Sequence, residues 1–265
     1  MTRKLLIPLI VCQTLFSAAN AVSAEKEEQA IRQSQGVIGD AVSGFSFTNV
    51  DGTKIDIEQF RGKPLLATLI YTSCADVCPV IIESLATATE VAEDTFGPDS
   101  FNIITVGFDT RIDTPDRMRS FARAHSAGGE NWYFVASTAD MADRFATAIG
   151  FDYQASAGGF GHPAQVTVID QDGKIFSQVY GSLFDPPAIV DPLKSLIFGG
   201  ERPVFSLAGL GDRIKLFCTV YDPRTGRYYF DYSIVYSIAV GALCLLGILF
   251  FLVREARKTF RAGGA

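Results

Sequence analysis

The 265 residues provide for one large domain with additional segments. Apolar residues make up 48% and charged residues 20% of the chain, which is compatible with an ordinary globular core. The formal net charge of -6 argues against a nucleic-acid partner, because nucleic acids are bound through strongly basic surfaces.

The N-terminus has the pattern of a secretory signal. Arg3 and Lys4 precede an apolar segment over residues 5–16, and small residues follow it. This order of charged, apolar and small residues predicts a cleaved signal peptide over residues 1–24, with an uncleaved anchor as the alternative. The next segment, 25–36, is polar and charged without an apolar period, so we predict a flexible leader there.

Residues 37–200 show the pattern of an α/β domain. A hairpin is predicted around Asp51 and Gly52, where alternating apolar residues flank the turn. Apolar runs predict buried strands, and apolar residues at helical spacing predict the helices between them. In chain order, these are a strand at 65–71, a helix from Cys78 to about 97, a strand at 101–108, a helix beginning at 113–115, a strand at 132–135, a helix at 141–149, a hairpin of strands 165–169 and 174–179, and a helix at 187–198.

The C-terminal part has the pattern of a membrane anchor. Residues 201–233 are predicted to form a membrane-proximal tether. Residues 234–253 are 20 residues without a charge, and at about 1.5 Å per residue such a helix spans roughly 30 Å. Arginine and lysine residues follow it, so the positive-inside rule predicts a cytoplasmic tail over 254–265 and a globular domain exported to the periplasmic side. A buried core helix is the alternative for 234–253.

Two cysteines, Cys74 and Cys78, lie between the first long strand and the helix that follows it. This is the thioredoxin-like arrangement. Positions four apart share one face of a helix, and the positive end of the helix dipole favours thiolates. Two thiolates suit a soft metal such as Cu(I), but the pair could equally cycle through a disulfide or be purely structural.

A histidine in a predicted loop is the candidate third ligand. His162 lies between glycines and Pro163, and in a thioredoxin-like sheet this loop leads into a strand beside the cysteine turn. An imidazole together with two thiolates is a set that Cu(I) prefers over hard oxygen ligands. A solvated histidine without a ligand is the alternative, and it is the interpretation that we give to His125.

Three segments together resemble the Sco/SenC family of membrane-anchored, thioredoxin-like copper proteins that serve cytochrome oxidase assembly. They are residues 72–79, residues 109–115, and His162 eight residues before Asp170. The resemblance covers roughly 37–200 and implies a thioredoxin-like (peroxiredoxin-like) fold. It also implies copper, as Cu(I) or Cu(II), and as partner an apo copper-binding subunit of a cytochrome oxidase.

Carried over position by position, the family's copper ligands would be Cys74, Cys78 and His162. The resemblance further implies that Asp109 is an acidic residue near the site. The chain departs from the family at Ala75, where proline is usual, and in carrying its predicted anchor at the C-terminus rather than the N-terminus.

Two functions of different classes follow. The favoured one is a metallochaperone, not an enzyme, that delivers copper to the oxidase. The alternative is a thiol–disulfide oxidoreductase that keeps partner cysteines reduced. Thioredoxin-type enzymes use two residues between the cysteines, whereas Cys74 and Cys78 enclose three, and a redox pair does not need His162. A peroxiredoxin-type peroxidase is weakened because the Pro-x-x-x-Thr-x-x-Cys pattern does not lead into Cys74.

Overall fold

The computed structural model describes residues 28–125, 127–156, 159–199, 219–222, 225 and 227–262. The chain divides into two compact units, 1–200 and 201–265. The predicted signal peptide, 1–24, lies outside the described residues.

A seven-stranded mixed sheet forms the centre of the first unit. Its strands are β1 (Ser46–Asn49), β2 (Lys54–Asp56), β3 (Leu65–Ile70), β4 (Asn102–Gly107), β5 (Trp132–Ala136), β8 (Gln165–Ile169) and β9 (Ile175–Tyr180). They lie in the order β2-β1-β5-β4-β3-β8-β9. A separate antiparallel hairpin consists of β6 (Gln154–Ser156) and β7 (Gly159–Gly161). Strands β3, β4 and β5 run parallel, and β8 pairs antiparallel with β3. Every residue of β3 is buried, as its almost fully apolar sequence predicts.

Within the described part of this unit, five helices accompany the sheet: α1 (28–36), α2 (Val77–Phe96), α3 (Pro115–Ala124), α4 (Ala139–Ala148) and α5 (Pro187–Phe198), besides a short 3₁₀ helix at Ile57–Phe60. Helix α3 begins as the sequence predicts: Thr114 caps it by accepting a hydrogen bond from the Arg117 N–H, and Pro115 occupies the first turn. The predicted α/β elements are therefore present in the predicted order. The segment before His162, which was predicted to be a loop, contains strand β7 of the β6–β7 hairpin, and His162 follows that strand.

Helix α1 corrects the prediction of a flexible leader for residues 28–36. Ala30 and Ser34, four residues apart, are buried. The Ser34 hydroxyl donates to Gln165 Oε1 at 2.9 Å and accepts from the Tyr180 hydroxyl at 2.9 Å. Hydrogen bonds to β8 and β9 therefore order this helix, and the composition of the segment alone does not reveal such tertiary partners.

The second unit is described from Thr219 onward. An antiparallel hairpin, β10 (Thr219–Asp222) and β11 (Arg227–Phe230), lies within the predicted tether, and helix α6 (Ser233–Ala262) follows. Among the residues that the structure describes, no helix is found that is both long enough and apolar enough for a membrane crossing. The membrane span at 234–253 stays a prediction.

Candidate metal centre

The cysteine pair lies where β3 leads into α2, at the carboxyl end of a buried central strand. A turn forms first, in which the Cys74 N–H donates to the Tyr71 carbonyl at 3.1 Å. Asp76 occupies the N-cap position of helix α2, so Cys74 precedes the helix rather than sharing a face of it with Cys78. The two cysteines are nevertheless adjacent, because the Cys78 N–H donates to Cys74 Sγ at 3.3 Å. Neither cysteine is in a disulfide.

The two thiols differ in environment. Cys74 is half-buried, whereas Cys78 is 1% exposed. Burial raises the pKa of the Cys74 thiol, but hydrogen bonds from the Cys78 and Asp76 backbone, the Cys78 side chain and the Tyr71 hydroxyl outweigh it, so that this pKa lies below its ordinary value. Burial raises the pKa of Cys78 strongly, and the neighbouring Cys74 adds to the effect. Cys74 is therefore the more accessible and the more readily ionised thiol of the pair.

His162 follows β7 and is held by three aromatic rings. Its ring centroid lies 5.9 Å from that of Tyr71, 5.7 Å from Phe108 and 5.2 Å from Phe151. Its Nδ1 lies 3.0 Å from the Pro163 carbonyl oxygen. Because a carbonyl only accepts, Nδ1 carries the proton, and Nε2 keeps its lone pair for a ligand.

Burial also favours the neutral form of His162. It lowers the pKa of the imidazole, and the hydrogen bond to the Pro163 carbonyl opposes this effect without cancelling it. A neutral imidazole oriented through the hydrogen bond of its other nitrogen is the form that metal-binding histidines adopt.

An aromatic cluster connects His162 to the cysteine turn. It consists of Tyr71, Phe108, Phe151, Tyr153, Phe160 and His162. Gly159 fits against this cluster: at its φ of +124°, a Cβ would lie 2.8 Å from the Tyr71 hydroxyl. Tyr71 therefore contacts both segments, since its backbone accepts the Cys74 N–H and its ring packs on the hairpin that precedes His162.

The donor atoms suit Cu(I), but they do not form a complete three-ligand metal site. Within the described part of the chain, no group of three His, Cys, Asp or Glu side chains is arranged to hold a metal ion. The two sulfurs are adjacent, and Tyr71 is the neighbour that they share with the imidazole. Two thiols and an imidazole with a free Nε2 fit a soft cation by their chemistry.

The acidic residue that reaches the cysteine turn is Asp113. The sequence suggested Asp109, which lies after β4, is buried and has Arg111 Nε 3.8 Å from its carboxylate. Asp113 Oδ1 instead accepts from the N–H and the hydroxyl of Thr72, at 2.8 and 2.7 Å. Sequence reasoning assigned Asp113 only to the start of α3. It also missed that Tyr71 contacts both the cysteine turn and His162. The aromatic residues that precede His162 in the sequence were the available signal, because they form the cluster against which Tyr71 packs.

A cavity of about 690 Å³ opens beside the candidate ligands. His162 and Pro163 form part of its wall, together with Val77 at the start of α2 and Ile31 of α1. Because Val77 is adjacent to Cys78, the cavity provides an approach to the imidazole and to the first turn of α2.

Comparison with known proteins identifies the family. A model of the SCO1/SenC family matches residues 35–197, well over half of the chain. The chain belongs to the SCO1/SenC family. The resemblance that the sequence indicated is thereby confirmed.

Individual relatives agree with this assignment. The SCO1 protein homolog of Bacillus subtilis is 28% identical over 95 residues, which are 36% of this chain and 48% of that protein, so the chain matches about half of the relative's length. The structure of Bradyrhizobium japonicum ScoI with copper bound has a TM-score of 0.51 at 21% identity and covers 59% of this chain and 99% of ScoI.

A third comparison is with BsSco, described as a member of the Sco family of cytochrome c oxidase assembly proteins in which a disulfide switch was identified. It has a TM-score of 0.51 at 22% identity, and the match covers 60% of this chain and 96% of BsSco. At these identities the structural likenesses show the shared thioredoxin-like α/β fold.

Proposed function

We propose that the protein is a copper metallochaperone that delivers copper to the copper-binding subunit of a cytochrome oxidase during its assembly. The observation that carries the proposal is the placement of His162, with its free Nε2, one aromatic side chain away from the adjacent Cys74 and Cys78. Membership of the SCO1/SenC family supports it, as does the copper bound to the ScoI relative.

The asymmetry of the two thiols supports an order of capture. Cys74 is the more accessible and more readily ionised thiol and meets Cu(I) first, whereas Cys78 is buried and loses its proton less readily on binding. His162 needs no deprotonation, because its neutral imidazole already offers Nε2. Release follows by ligand exchange: thiol, thiolate or imidazole groups of the partner replace these donors one at a time, approaching along the cavity beside His162.

Metal analysis of the reduced full-length chain tests the site. We expect about one Cu(I) per chain, and we expect Cys74→Ala or Cys78→Ala to abolish stoichiometric binding, because one thiolate with one imidazole is a poorer soft site. His162→Ala is expected to weaken binding. His125→Ala is the matched control, since the other histidine of the chain pairs with Glu83 instead. Stoichiometric copper in the double cysteine variant would rule out the proposed site.

A specific observation favours the alternative function, a thiol–disulfide oxidoreductase. A half-buried thiol of lowered pKa beside a fully buried one is the arrangement of an attacking and a resolving cysteine. His162→Ala discriminates, because it removes a metal ligand and leaves Cys74 and Cys78 intact. Delivery predicts low oxidase activity in cells, partly restored by added copper. Wild-type oxidase activity of this variant at low copper would favour the oxidoreductase.

We further propose that the domain is exported to the periplasmic side and anchored by residues 234–253, with a cytoplasmic C-terminus. The uncharged apolar run and the basic residues after it support this topology. Exposed apolar side chains of α6, such as Leu243, Leu246 and Phe250, are also consistent with a lipid environment. A reporter fused after Ala265 should be active only in the cytoplasm, and one inserted at Gly200 only outside it. The opposite result at both positions would contradict the proposal.

A further inference from the structure

The carboxylate of Asp113 occupies a buried position between the ends of two central strands. Asp113 is 1% exposed, and its Oδ2 accepts the Asp109 N–H at 2.9 Å, beyond the end of β4. Its Oδ1 accepts both the N–H and the hydroxyl of Thr72, beyond the end of β3. Because β3 and β4 are paired neighbours in the sheet, one side chain joins the two loops that leave them.

The backbone makes room for this side chain. A Cβ on Gly107, the last residue of β4, would lie 2.6 Å from the Asp113 Cβ and 2.8 Å from Met118 Sδ. Both neighbours are fully buried and have little space to move. The glycine is thus required for Asp113 to lie between the strand ends.

The residue that Asp113 holds is part of the cysteine turn. Thr72 follows Tyr71, whose carbonyl accepts the Cys74 N–H, so Thr72 lies inside the turn that these two residues close. Two hydrogen bonds to one carboxylate oxygen fix both the backbone and the side chain of Thr72. This turn positions Cys74 Sγ so that it accepts a hydrogen bond from the Cys78 N–H.

We propose that Asp113 is a positioning residue of the copper site, which acts through Thr72 to fix the turn that presents Cys74. The side chain suits this task, because its two oxygens accept hydrogen bonds from the Thr72 N–H, the Thr72 hydroxyl and the Asp109 N–H at once. Without the Asp113 carboxylate, the turn is held by fewer hydrogen bonds. The two sulfurs must then be ordered when metal binds or when a disulfide forms.

The test compares Asp113→Asn, Thr72→Val and the double variant in the full-length chain. Asp116→Asn is the matched control, because Asp116 lies three residues away on α3, is exposed and bonds Arg119. The readouts are Cu(I) affinity by chelator competition and the thiol–disulfide equilibrium constant of the cysteine pair with glutathione. Circular dichroism and the melting temperature report the fold separately.

For Asp113→Asn we expect a Cu(I) affinity about tenfold weaker and a shifted equilibrium with glutathione. Thr72→Val should change both quantities in the same direction by a smaller factor. The double variant should bind as Asp113→Asn does, because the two residues act along one path. Asp116→Asn should match the wild type in both readouts.

A folded Asp113→Asn variant with wild-type affinity and equilibrium constant would overturn the proposal, and so would additive effects of the two substitutions. If Asp113→Asn does not fold, Thr72→Val decides, because it leaves the carboxylate in place. Only the Cu(I) affinity measurement depends on the proposed copper function; the glutathione equilibrium does not. If the wild type binds no Cu(I), the copper function fails, while the glutathione equilibrium still tests the positioning role.

Discussion

Phe108→Leu separates the role of the aromatic cluster in stability from its role at the site. Phe108 follows β4, is 4% exposed, and packs against five rings of the aromatic cluster, including His162 at 5.7 Å. Phe101 precedes the same strand and is fully buried at the opposite end of it. The two positions therefore form a matched pair, one at the site and one distant from it.

The expected magnitudes follow from these contacts. Phe101→Leu loses buried contact area, at a cost of about 1–2 kcal/mol in the free energy of unfolding. Phe108→Leu also loses aromatic pairs worth about 0.5–1.5 kcal/mol each, which do not add fully, so we expect roughly 2–4 kcal/mol in total. For a domain of this size, that lowers the melting temperature by about 5–10 °C and leaves a folded protein at room temperature.

The decisive difference concerns copper. With its packing loosened, His162 must be ordered on binding, at a cost of about 0.5–1.5 kcal/mol. This corresponds to a Cu(I) affinity roughly 2–10-fold weaker for Phe108→Leu, whereas Phe101→Leu should bind as the wild type does. Chelator competition measures the affinity, and histidine proton resonances in the copper-free protein report ring motion directly. Equal Cu(I) affinities of the two variants, with equally sharp His162 resonances, would refute the reasoning.

Two further predictions concern the thiols. Hydrogen bonds lower the pKa of Cys74 below its ordinary value despite burial, so alkylation of Cys74 should begin at lower pH in the folded chain than in urea. Cys78 should react far more slowly than Cys74 at every pH, because it is buried and its pKa is raised. Peptide mapping after iodoacetamide pulses measures both rates, and equal alkylation rates of the two cysteines would contradict the assignment of Cys74 as the more reactive thiol. Tyr71→Phe removes one of those hydrogen bonds, so the alkylation midpoint of Cys74 should move to higher pH. Tyr153→Phe, whose hydroxyl bonds Asp143 instead, should leave that midpoint unchanged.

Local signals were sufficient for most of the fold. The almost fully apolar sequence of β3, the Asp-Gly turn between β1 and β2, and the Thr114 cap of α3 each act within a few residues. The element order therefore followed from the sequence. So did the candidate ligands, because Cys74 and Cys78 lie at a strand–helix junction and the chain contains only two histidines.

Helix α1 and the role of Asp113 required the tertiary structure. Ser34 of α1 bonds partners more than 130 residues away, so the polar composition of its segment indicated a flexible leader. Asp113 has the local signature of a residue at a helix start, and only the pairing of β3 with β4 brings its carboxylate to Thr72.

The environment of His162 is likewise decided by the fold. Tyr71, Phe108 and the β6–β7 hairpin meet there because β3 lies between β4 and β8 in the sheet. No local period or spacing in the sequence predicts that these residues are neighbours, since strand order depends on long-range pairing. The sequence by itself thus determined which side chains could bind a soft metal. The tertiary structure decided how each is held: a half-exposed thiol of lowered pKa, a buried thiol of raised pKa, and a neutral imidazole fixed through Nδ1 by the carbonyl of Pro163.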